Sequence, residues 1–434
     1  MIKKDILAQI ILDFQKDNLP KTISREVDVS LDIPLKRALA ILGPRRSGKT
    51  FFLFSLIEKL LQKGIEKKRI LYVNFEQPRL IGMTPRDLSV LLEVFYEIFP
   101  ENKKKKVWLF FDEIQNIKNW EIFIRSVIDQ EKAQVFLSGS SSKLLSKEIT
   151  TSMRGRALSY LILPFSFKEI LDFKGVVYEK YLSSTQQASI LNSFSDFFKY
   201  GSYPETVVYP KERERIIQEI IEVTIHQDLI ERHKLRNIKL VKLMFNYLIQ
   251  AKEFSVHQFY NFLKSINLKV SKNTLYNYLD FFGDAFIFFP LKRFSWSLKN
   301  VEQSASKIYA IDNGLIQAIV GENKSKKFEN LSFLSLLRKG YAPNKDLFYY
   351  ALSSKAGEVD FIVKKGKVIT SLIQACFDLS DYSTKEREIK SLLKASEELK
   401  CNDLSIITWD EEREEKIKGK KIKIIPLWKW LLIK

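Results

Sequence analysis

The feature that most constrains this chain is a short loop between a predicted strand and a predicted helix. The loop consists of Gly43, Pro44, Arg45, Arg46, Ser47, Gly48, Lys49 and Thr50, and it matches the pattern G-x-x-x-x-G-K-[ST]. The apolar run 38–42 predicts a buried strand before it, and apolar residues at helical spacing over 50–63 predict a helix after it. In this context, backbone N–H groups and the helix N-terminus favour bound phosphate. The alternative is a glycine-rich turn without a ligand.

The residues of this loop have separate expected roles. We expect residues 43–51, which include Phe51, to surround the phosphates of a nucleotide, with Gly43 and Gly48 allowing the backbone to curl. Lys49 is expected to reach the β- and γ-phosphates, and the hydroxyl of Thr50 is expected to ligate Mg²⁺. The expected ligands are therefore ATP and Mg²⁺.

A second apolar strand ends in two acids. The run 107–111 is followed by Asp112 and Glu113. Many strands end in acids, but downstream of a phosphate-binding loop this pattern predicts that Asp112 binds Mg²⁺. Glu113 is expected to orient and polarise the water that attacks the γ-phosphate.

Three further residues are candidates for the same site. Ser138 follows the predicted strand 134–137, where a hydroxyl can sense the γ-phosphate; the alternative is a turn that caps the next helix. Arg154 and Arg156 precede a predicted strand, 157–163, and one of them is expected to stabilise charge in the transition state. The sequence leaves open which arginine does so, and whether it acts in its own chain or on a neighbouring one.

The composition limits the class of protein and its partners. The 434 residues carry a net charge of +19, which favours polyanions such as nucleic acid or an acidic membrane surface; the alternative is a solvated lysine-rich surface. Two cysteines and three histidines lack the spacings of a zinc site, so no zinc is expected. No apolar run approaches the ~18 residues of a membrane span, and no signal-peptide pattern precedes the first predicted elements. We therefore expect a cytoplasmic protein that does not enter membranes.

Alternating strands and helices in the first part predict an α/β fold. A parallel sheet covered on both faces would place Asp112, Glu113 and Ser138 together at the carboxyl ends of its strands. The predicted domains are an ATPase core with an N-terminal helix (1–165), a helical lid (166–235), a winged helix (236–300) and a nuclease-like domain (301–434).

The winged-helix prediction comes from three helical patterns, 238–250, 256–265 and 272–282, followed by two strand-like runs, 285–290 and 291–296. The third helix would enter a major groove of DNA. The candidate DNA contacts are Lys272, Asn273, Tyr276 and Asn277 on this helix and Lys292 and Arg293 on the wing. The alternative is a winged helix used only for packing or oligomerisation.

Several segments in this order resemble one known family. They are GPRRSGKT, FFDEIQN, LSGSSSKLL, RGRALSYLILPFSFKEI and GSYPE. The chain resembles the prokaryotic, archaeal-type AAA ATPases that carry a C-terminal nuclease-like domain of unknown function, DUF4143. The resemblance implies ATP and Mg²⁺ chemistry at Lys49, Thr50, Asp112 and Glu113, and it matches Arg156 to the family's Gly-Arg position.

The last third of the chain resembles the PD-(D/E)XK nuclease core in its order of elements. Such enzymes hold Mg²⁺ with acids on two strands and use a lysine to activate water. Here Asp360 matches the first acid and Glu329 a helical acid, but Gln374 stands at the second acid and Cys376 at the lysine. These changes predict a degenerate site that binds DNA or protein. The alternative is an active nuclease in which Lys364 or Lys365 supplies the ammonium group.

The sequence thus predicts an ATPase that couples its nucleotide state to binding of duplex or branched DNA. The alternatives are a nucleotide-switched scaffold that binds protein partners and an ATP-gated nuclease. A homo-oligomer is compatible with either arrangement of the arginine.

Overall fold

The computed structural model describes residues 2–140, 153, 155–179, 181–352 and 357–433. The chain forms two compact units, Met1–Pro164 and Phe165–Lys434. Their boundary lies beside the predicted end of the ATPase core at residue 165. The finer division of the second unit into three domains stays a prediction.

The first unit is built on a five-stranded parallel sheet. Its strands are β1 (Ala38–Leu42), β2 (Ile70–Asn74), β3 (Val107–Asp112), β4 (Ala133–Gly139) and β5 (Ala157–Leu161). The order across the sheet is β2-β3-β4-β1-β5. Strands β1 to β4 are almost wholly buried, as their continuous apolar sequences predict. The predicted α/β class with a parallel sheet is confirmed.

Among the described residues, four α-helices accompany this sheet: α1 (Lys4–Lys16), α2 (Lys49–Gln62), α3 (Pro85–Ile98) and α4 (Trp120–Gln130). The apolar face of α1 is buried at Leu7, Ile10 and Ile11, and the helix packs on α3 and β2. Packing on the core therefore accounts for the apolar face of this amphipathic helix. Within the described residues, no helix combines the length and hydropathy needed to cross a membrane.

The second unit begins with helices. These are α5 (Phe167–Lys174), α6 (Ser184–Tyr200), α7 (Pro204–Val208) and α8 (Arg213–Val223), the last of which continues as a π-helical stretch, Thr224–Glu231. Ser166 begins α5 with a capping box, because its hydroxyl accepts from the backbone of Glu169 and the Glu169 carboxylate accepts from the backbone of Ser166. This segment is helical, as the sequence predicted.

Four helices and a small antiparallel sheet follow. The elements are α9 (Ile238–Gln250), β6 (Glu253–Phe254), α10 (Val256–Ser265), α11 (Lys272–Asp284), β7 (Phe288–Leu291), α12 (Leu298–Gln303) and β8 (Ser306–Ala310). The sheet order is β6-β8-β7. The three predicted helices agree with α9, α10 and α11 to within two residues.

The predicted second strand of the hairpin, 291–296, is wrong. The strand that pairs with β7 is β8. The backbone of 292–294 instead bonds to β9 (Leu347–Ala351): the N–H of Phe294 donates to the carbonyl of Tyr349, and the N–H of Tyr349 donates to the carbonyl of Lys292. Pairing between distant segments thus decided which apolar run completes the small sheet.

The C-terminal part contains a six-stranded mixed sheet. Its remaining elements are α13 (Asn313–Val320), α14 (Lys324–Arg338), β10 (Glu358–Lys365), β11 (Val368–Ala375), α15 (Tyr382–Leu399), β12 (Leu404–Thr408), β13 (Arg413–Ile417), β14 (Lys420–Pro426) and α16 (Leu427–Trp430). The order is β13-β14-β12-β11-β10-β9, with β9, β10 and β11 antiparallel and β12 parallel to β11. The predicted C-terminal sheet domain is present.

A buried carboxylate joins two segments that are distant in sequence. Asp312 accepts hydrogen bonds from the backbone N–H of Ser202 at 2.7 Å, from its hydroxyl at 3.0 Å, and from the N–H of Gly314 at 2.7 Å. Burial raises the pKa of Asp312 to about 6, although these hydrogen bonds oppose the rise. Gly201 lies against this carboxylate, since a Cβ at Gly201 would lie 1.7 Å from Asp312 Oδ1.

Candidate nucleotide site and a second cavity

The loop after β1 has the backbone geometry of a phosphate cradle. Gly48 has φ +91°, a left-handed value that favours glycine, and it immediately precedes α2. At Gly43, a Cβ would lie 2.1 Å from the carbonyl oxygen of Ile162. Both glycines of the motif are therefore required by the shape of the loop, and α2 begins directly after Gly48.

Asp112 lies at the carboxyl end of β3 and accepts three side-chain hydrogen bonds. The hydroxyl of Thr50 donates at 2.8 Å and that of Tyr72 at 3.0 Å, both to Oδ2, and the hydroxyl of Ser138 donates to Oδ1. These donors come from α2, β2 and β4, so three neighbouring elements position one carboxylate.

Burial governs the protonation behaviour of this carboxylate. Desolvation and the neighbouring charge of Glu113 raise the pKa of Asp112, whereas the three hydroxyl donors lower it. The same burial, together with Asp112, raises the pKa of Tyr72, which therefore stays a hydrogen-bond donor. A cation beside Asp112 would favour its charged form.

Glu113 occupies a strained position directly after the strand. Its φ is +53°, in the left-handed region that non-glycine residues seldom adopt. Its carboxylate lies 3.6 Å from Nζ of Lys49 and accepts from the side-chain amide of Gln115, while Lys49 also donates to the carbonyl of Pro44 at 3.1 Å. Its backbone N–H donates to the hydroxyl of Ser138 at 2.9 Å. Glu113, the acid expected to orient water, and the loop lysine are thus neighbours.

Several other residues predicted for this site contact other side chains or solvent. Arg156 forms an ion pair with Asp129 at 2.7 Å, and both side chains are substantially exposed. Phe51 is 53% exposed on α2. Arg154 lies outside the described residues. Arg45 lies 3.7 Å from Glu76, a partner that the sequence did not indicate.

The loop residues fit a nucleotide and Mg²⁺. The hydroxyl oxygen of Ser47 is buried and has no hydrogen-bond partner among the described residues, although it lies in the cradle. The hydroxyl of Thr50 and the carboxylate of Asp112 are oxygen donors, the type that Mg²⁺ prefers. Sequence reasoning missed Tyr72 and Gln115; the position of Gln115 two residues after Glu113 was the only local signal for either.

The predicted polar face of α11 is exposed to solvent. The exposed residues are Lys272, Asn273, Tyr276 and Asn277, whereas Leu275 and Tyr278 are buried. The ammonium group of Lys272 lies 2.9 Å from Nδ1 of His257 and 5.3 Å from the ring centre of Tyr260. The polar face of α11 therefore lies beside residues of α10.

The two basic residues predicted for the wing contact their own chain. Lys292 pairs with Glu302 at 2.7 Å, and the guanidinium of Arg293 donates to the carbonyl of Ala351 at 2.8 Å. Beyond them, Trp296 and Leu298 are 67% and 82% exposed. The outer part of this segment is more apolar than the sequence prediction implied.

The second unit contains a cavity of about 760 Å³ that is lined by the four residues of the predicted degenerate nuclease site. Glu329, Asp360, Gln374 and Cys376 all line it. Gln374 accepts from the backbone N–H of Asp360 at 3.2 Å and donates to Glu388. Burial raises the pKa of the Cys376 thiol to about 11, so this cysteine is protonated near neutral pH.

Lys364 and Lys365, the alternative ammonium donors, are not among the described residues that line this cavity. The ammonium group of Lys364 lies 5.4 Å from the ring centre of Phe348. The lysine that reaches the acids is Lys307 on β8, which sequence reasoning did not select.

Two family models match the chain. An AAA domain matches residues 35–171, which contain the candidate nucleotide site. A domain of unknown function, DUF8612, matches residues 191–326. This is a different domain from the DUF4143 that the resemblance named, and these matches do not show the DUF4143 or nuclease-like assignment.

Relatives match over the whole chain. The protein MJ1544 of Methanocaldococcus jannaschii is 40% identical and covers 99% of this chain and 96% of its own length. A protein of Haemophilus influenzae is 28% identical over 100% of this chain and 99% of its own.

Similarities to solved structures are more distant. The Walker-type ATPase PABY2304 of Pyrococcus abyssi has a TM-score of 0.43 at 12% identity, covering 74% of this chain and 96% of that one. The Orc1 protein of Aeropyrum pernix in complex with DNA has a TM-score of 0.31 at 12% identity, covering 72% and 89%. Similarities this weak carry no assignment of function.

Proposed function

Because this chain belongs to the family that includes MJ1544 and carries an AAA domain, we propose that it binds and hydrolyses ATP and couples its nucleotide state to DNA. The observation that carries the ATPase proposal is the cluster at the ends of β1, β3 and β4. There Lys49 lies beside Glu113, and Asp112 accepts from both Thr50 and Ser138.

Different groups of the chain have separate roles in the proposed hydrolysis. Backbone N–H groups of the loop bind the β- and γ-phosphates, and Lys49 neutralises part of their charge. When bound by Thr50 and Asp112, Mg²⁺ would supply further charge neutralisation. Glu113 orients the attacking water and accepts a hydrogen bond from it. Binding of a phosphate beside Lys49 would draw its ammonium away from Glu113 and release that carboxylate for water.

We assign charge stabilisation in the transition state to Arg154 or Arg156. The ion pair between Arg156 and Asp129 is at the surface, where such pairs contribute little stability, so a neighbouring chain can compete for this guanidinium. This arrangement favours Arg156 as a residue that acts on a second copy of the chain.

We propose that α9, α10, α11 and the sheet β6-β8-β7 form a winged helix that contacts duplex or branched DNA. Support comes from the exposed polar face of α11 and from the net charge of +19. Lys292 and Arg293 are only partly exposed and bond to their own chain, whereas Lys272, Asn273, Tyr276 and Asn277 are exposed and would provide the main contacts.

A second candidate is a nucleotide-switched scaffold that binds a protein. It is favoured by Trp296 and Leu298, whose exposed apolar side chains suit a protein partner better than a phosphate backbone. Under this alternative, nucleic acid would leave the ATPase rate unchanged.

The experiment that separates these candidates is steady-state ATP hydrolysis by the full chain with single-stranded, duplex and junction DNA, or with none. We expect turnover that duplex or junction DNA stimulates. The Lys49→Ala variant should bind phosphate poorly and show no turnover above background. Undiminished hydrolysis by this variant would overturn the site assignment, and a rate independent of all three DNAs would favour the scaffold.

A further inference from the structure

Lys307 is a buried cation placed between acids of the second-unit cavity. Its side chain is 1% exposed, and its ammonium group lies 2.7 Å from Oδ1 of Asp360 and 2.9 Å from Oε1 of Glu329. Oε1 of Glu358 lies 3.4 Å away. One ammonium group therefore bridges acids from α14 and β10.

The backbone holds this lysine in place. Lys307 lies in β8, the central strand of the small sheet, paired with Glu253 of β6 and Leu291 of β7. Desolvation lowers the pKa of Lys307, but Asp360 and Glu329 outweigh it and hold the pKa well above its ordinary value. The side chain is thus a permanent positive charge at the end of a constrained strand.

Two other side-chain oxygens of the predicted nuclease site also accept hydrogen bonds from the protein. Asp360 Oδ2 accepts from the N–H of Ala375 at 3.0 Å. The side-chain oxygen of Gln374 accepts from the N–H of Asp360, and its amide group donates to Glu388. Within the described residues, no group of three or more His, Cys, Asp or Glu side chains is arranged to hold a metal ion. With Lys307 between the acids, the residues present do not fit the Mg²⁺ that a nuclease-like fold implies.

The acids of the cavity are balanced by cations of the protein itself. Lys252 pairs with Glu358 at 2.8 Å, and Arg387 pairs with Glu388 at 2.7 Å. A divalent cation would need the carboxylate oxygens that Lys307 contacts, because Mg²⁺ binds oxygen at ~2.1 Å. Two cations cannot share these oxygens without strong repulsion.

We propose that Lys307 takes the place of the divalent cation between Asp360 and Glu329, so that a neutral residue at this position uncovers a site for Mg²⁺ or Mn²⁺. The cavity of the natural protein is accordingly independent of metal. This inference concerns the second unit and holds whether or not the first unit hydrolyses ATP.

The test counts Mn²⁺ ions bound to the full, nucleotide-free chain, with free Mn²⁺ measured by electron paramagnetic resonance. All samples carry Asp112→Asn, which removes the carboxylate of the nucleotide site. With Lys307 present, we expect the same Mn²⁺ binding with Asp360 as with Asp360→Asn. With Lys307→Met, we expect one added Mn²⁺ per chain, and this ion should be lost again in Lys307→Met/Asp360→Asn.

Lys252→Met is the matched control. Lys252 also pairs with Glu358, but its side chain is 68% exposed, so its loss should not open a metal site. Mn²⁺ bound by the Lys307 protein in a manner that requires Asp360 would overturn the proposal, and this comparison does not depend on folding of the Lys307 variant. A folded Lys307→Met variant that gains no Mn²⁺ would also overturn it.

Discussion

In the first unit, the hydroxyl of Ser138 donates a hydrogen bond to Oδ1 of Asp112. The same hydroxyl oxygen accepts the backbone N–H of Glu113 at 2.9 Å. One side chain at the end of β4 therefore positions both the acid expected to hold Mg²⁺ and the backbone of the acid expected to orient water. That Ser138 senses phosphate stays a prediction, and the two hydrogen bonds add a positioning role for the same hydroxyl.

We predict that Ser138→Ala lowers kcat about ten-fold or more with little change in KM. Losing a hydrogen bond to a charged group costs ~1.5–3 kcal/mol, and each 1.4 kcal/mol corresponds to a factor of ten in rate. Steady-state kinetics with ATP would measure both constants. The matched control is Ser159→Ala in β5, an exposed serine of the same sheet, which should keep its kcat. An equal loss in both variants would argue against the positioning role.

The exposed lysine of α11 gives a prediction for DNA binding. Lys272→Glu should weaken binding of duplex DNA across all sequences and reduce the slope of log affinity against log salt by about one, because a single phosphate contact is lost. Fluorescence anisotropy at several salt concentrations measures this slope. Lys390→Glu, the same charge change at an exposed position on α15, is the control and should keep the slope. Equal effects of both variants would indicate only a general charge effect.

The contact between Gly201 and Asp312 gives a prediction for stability. An alanine at position 201 has a cost from its positive φ alone. Beyond that cost, Gly201→Ala should destabilise the second unit by about 2 kcal/mol or more, because the added Cβ would overlap the Asp312 carboxylate. Gly321→Ala is the matched control: Gly321 has φ +79° and ψ −141°, close to the +76° and −156° of Gly201, but no atom lies within 4 Å of its Cβ position. Urea unfolding measures the difference, and equal losses would contradict the overlap.

Asp312 should make the stability of the second unit depend on pH. The folded chain keeps this proton up to a pKa of about 6, whereas an unfolded aspartate loses it near pH 3.9. Between these values the folded state binds more protons, so the contribution is largest at acid pH and is lost as the pH rises through about 6. Protonation of Asp312 contributes at most ~3 kcal/mol to the free energy of unfolding, since each unit of difference between the folded and unfolded pKa corresponds to 1.36 kcal/mol.

This contribution can be measured by comparison with Asp312→Asn, which cannot titrate. The difference in free energy of unfolding between the natural chain and this variant should change between pH 4 and 6.5 in favour of the variant as the pH rises. Hydrogen exchange of residues 200–205 and 311–316 would show whether the change is local to these segments. A difference that is constant with pH would mean that Asp312 is ionised throughout this range.

Local patterns were sufficient for most elements of the fold. The apolar runs before the phosphate loop and before Asp112 became β1 and β3, and the periodic segments at 238–250 and 256–265 became α9 and α10 with the same bounds. Periodicity and capping are properties of neighbouring residues, so they are visible in one dimension. The hairpin strand was placed wrongly because strand partners are chosen by contacts between distant segments.

The same distinction holds for the sites. The loop 43–50 brings its glycines, lysine and hydroxyl together within one stretch of chain, so the sequence by itself was enough to predict a phosphate-binding loop. Tyr72 and Ser138 reach Asp112 from other strands, which only the parallel sheet order brings together. Lys307 is 53 residues from Asp360 and lies in a different sheet. The resemblance to nucleases predicted that Cys376 stands in place of a lysine, whereas only the tertiary structure decided that the ammonium group of Lys307 lies between the acids. The physical reason is that a buried charge is stable only beside a partner, and that partner can come from a distant part of the chain.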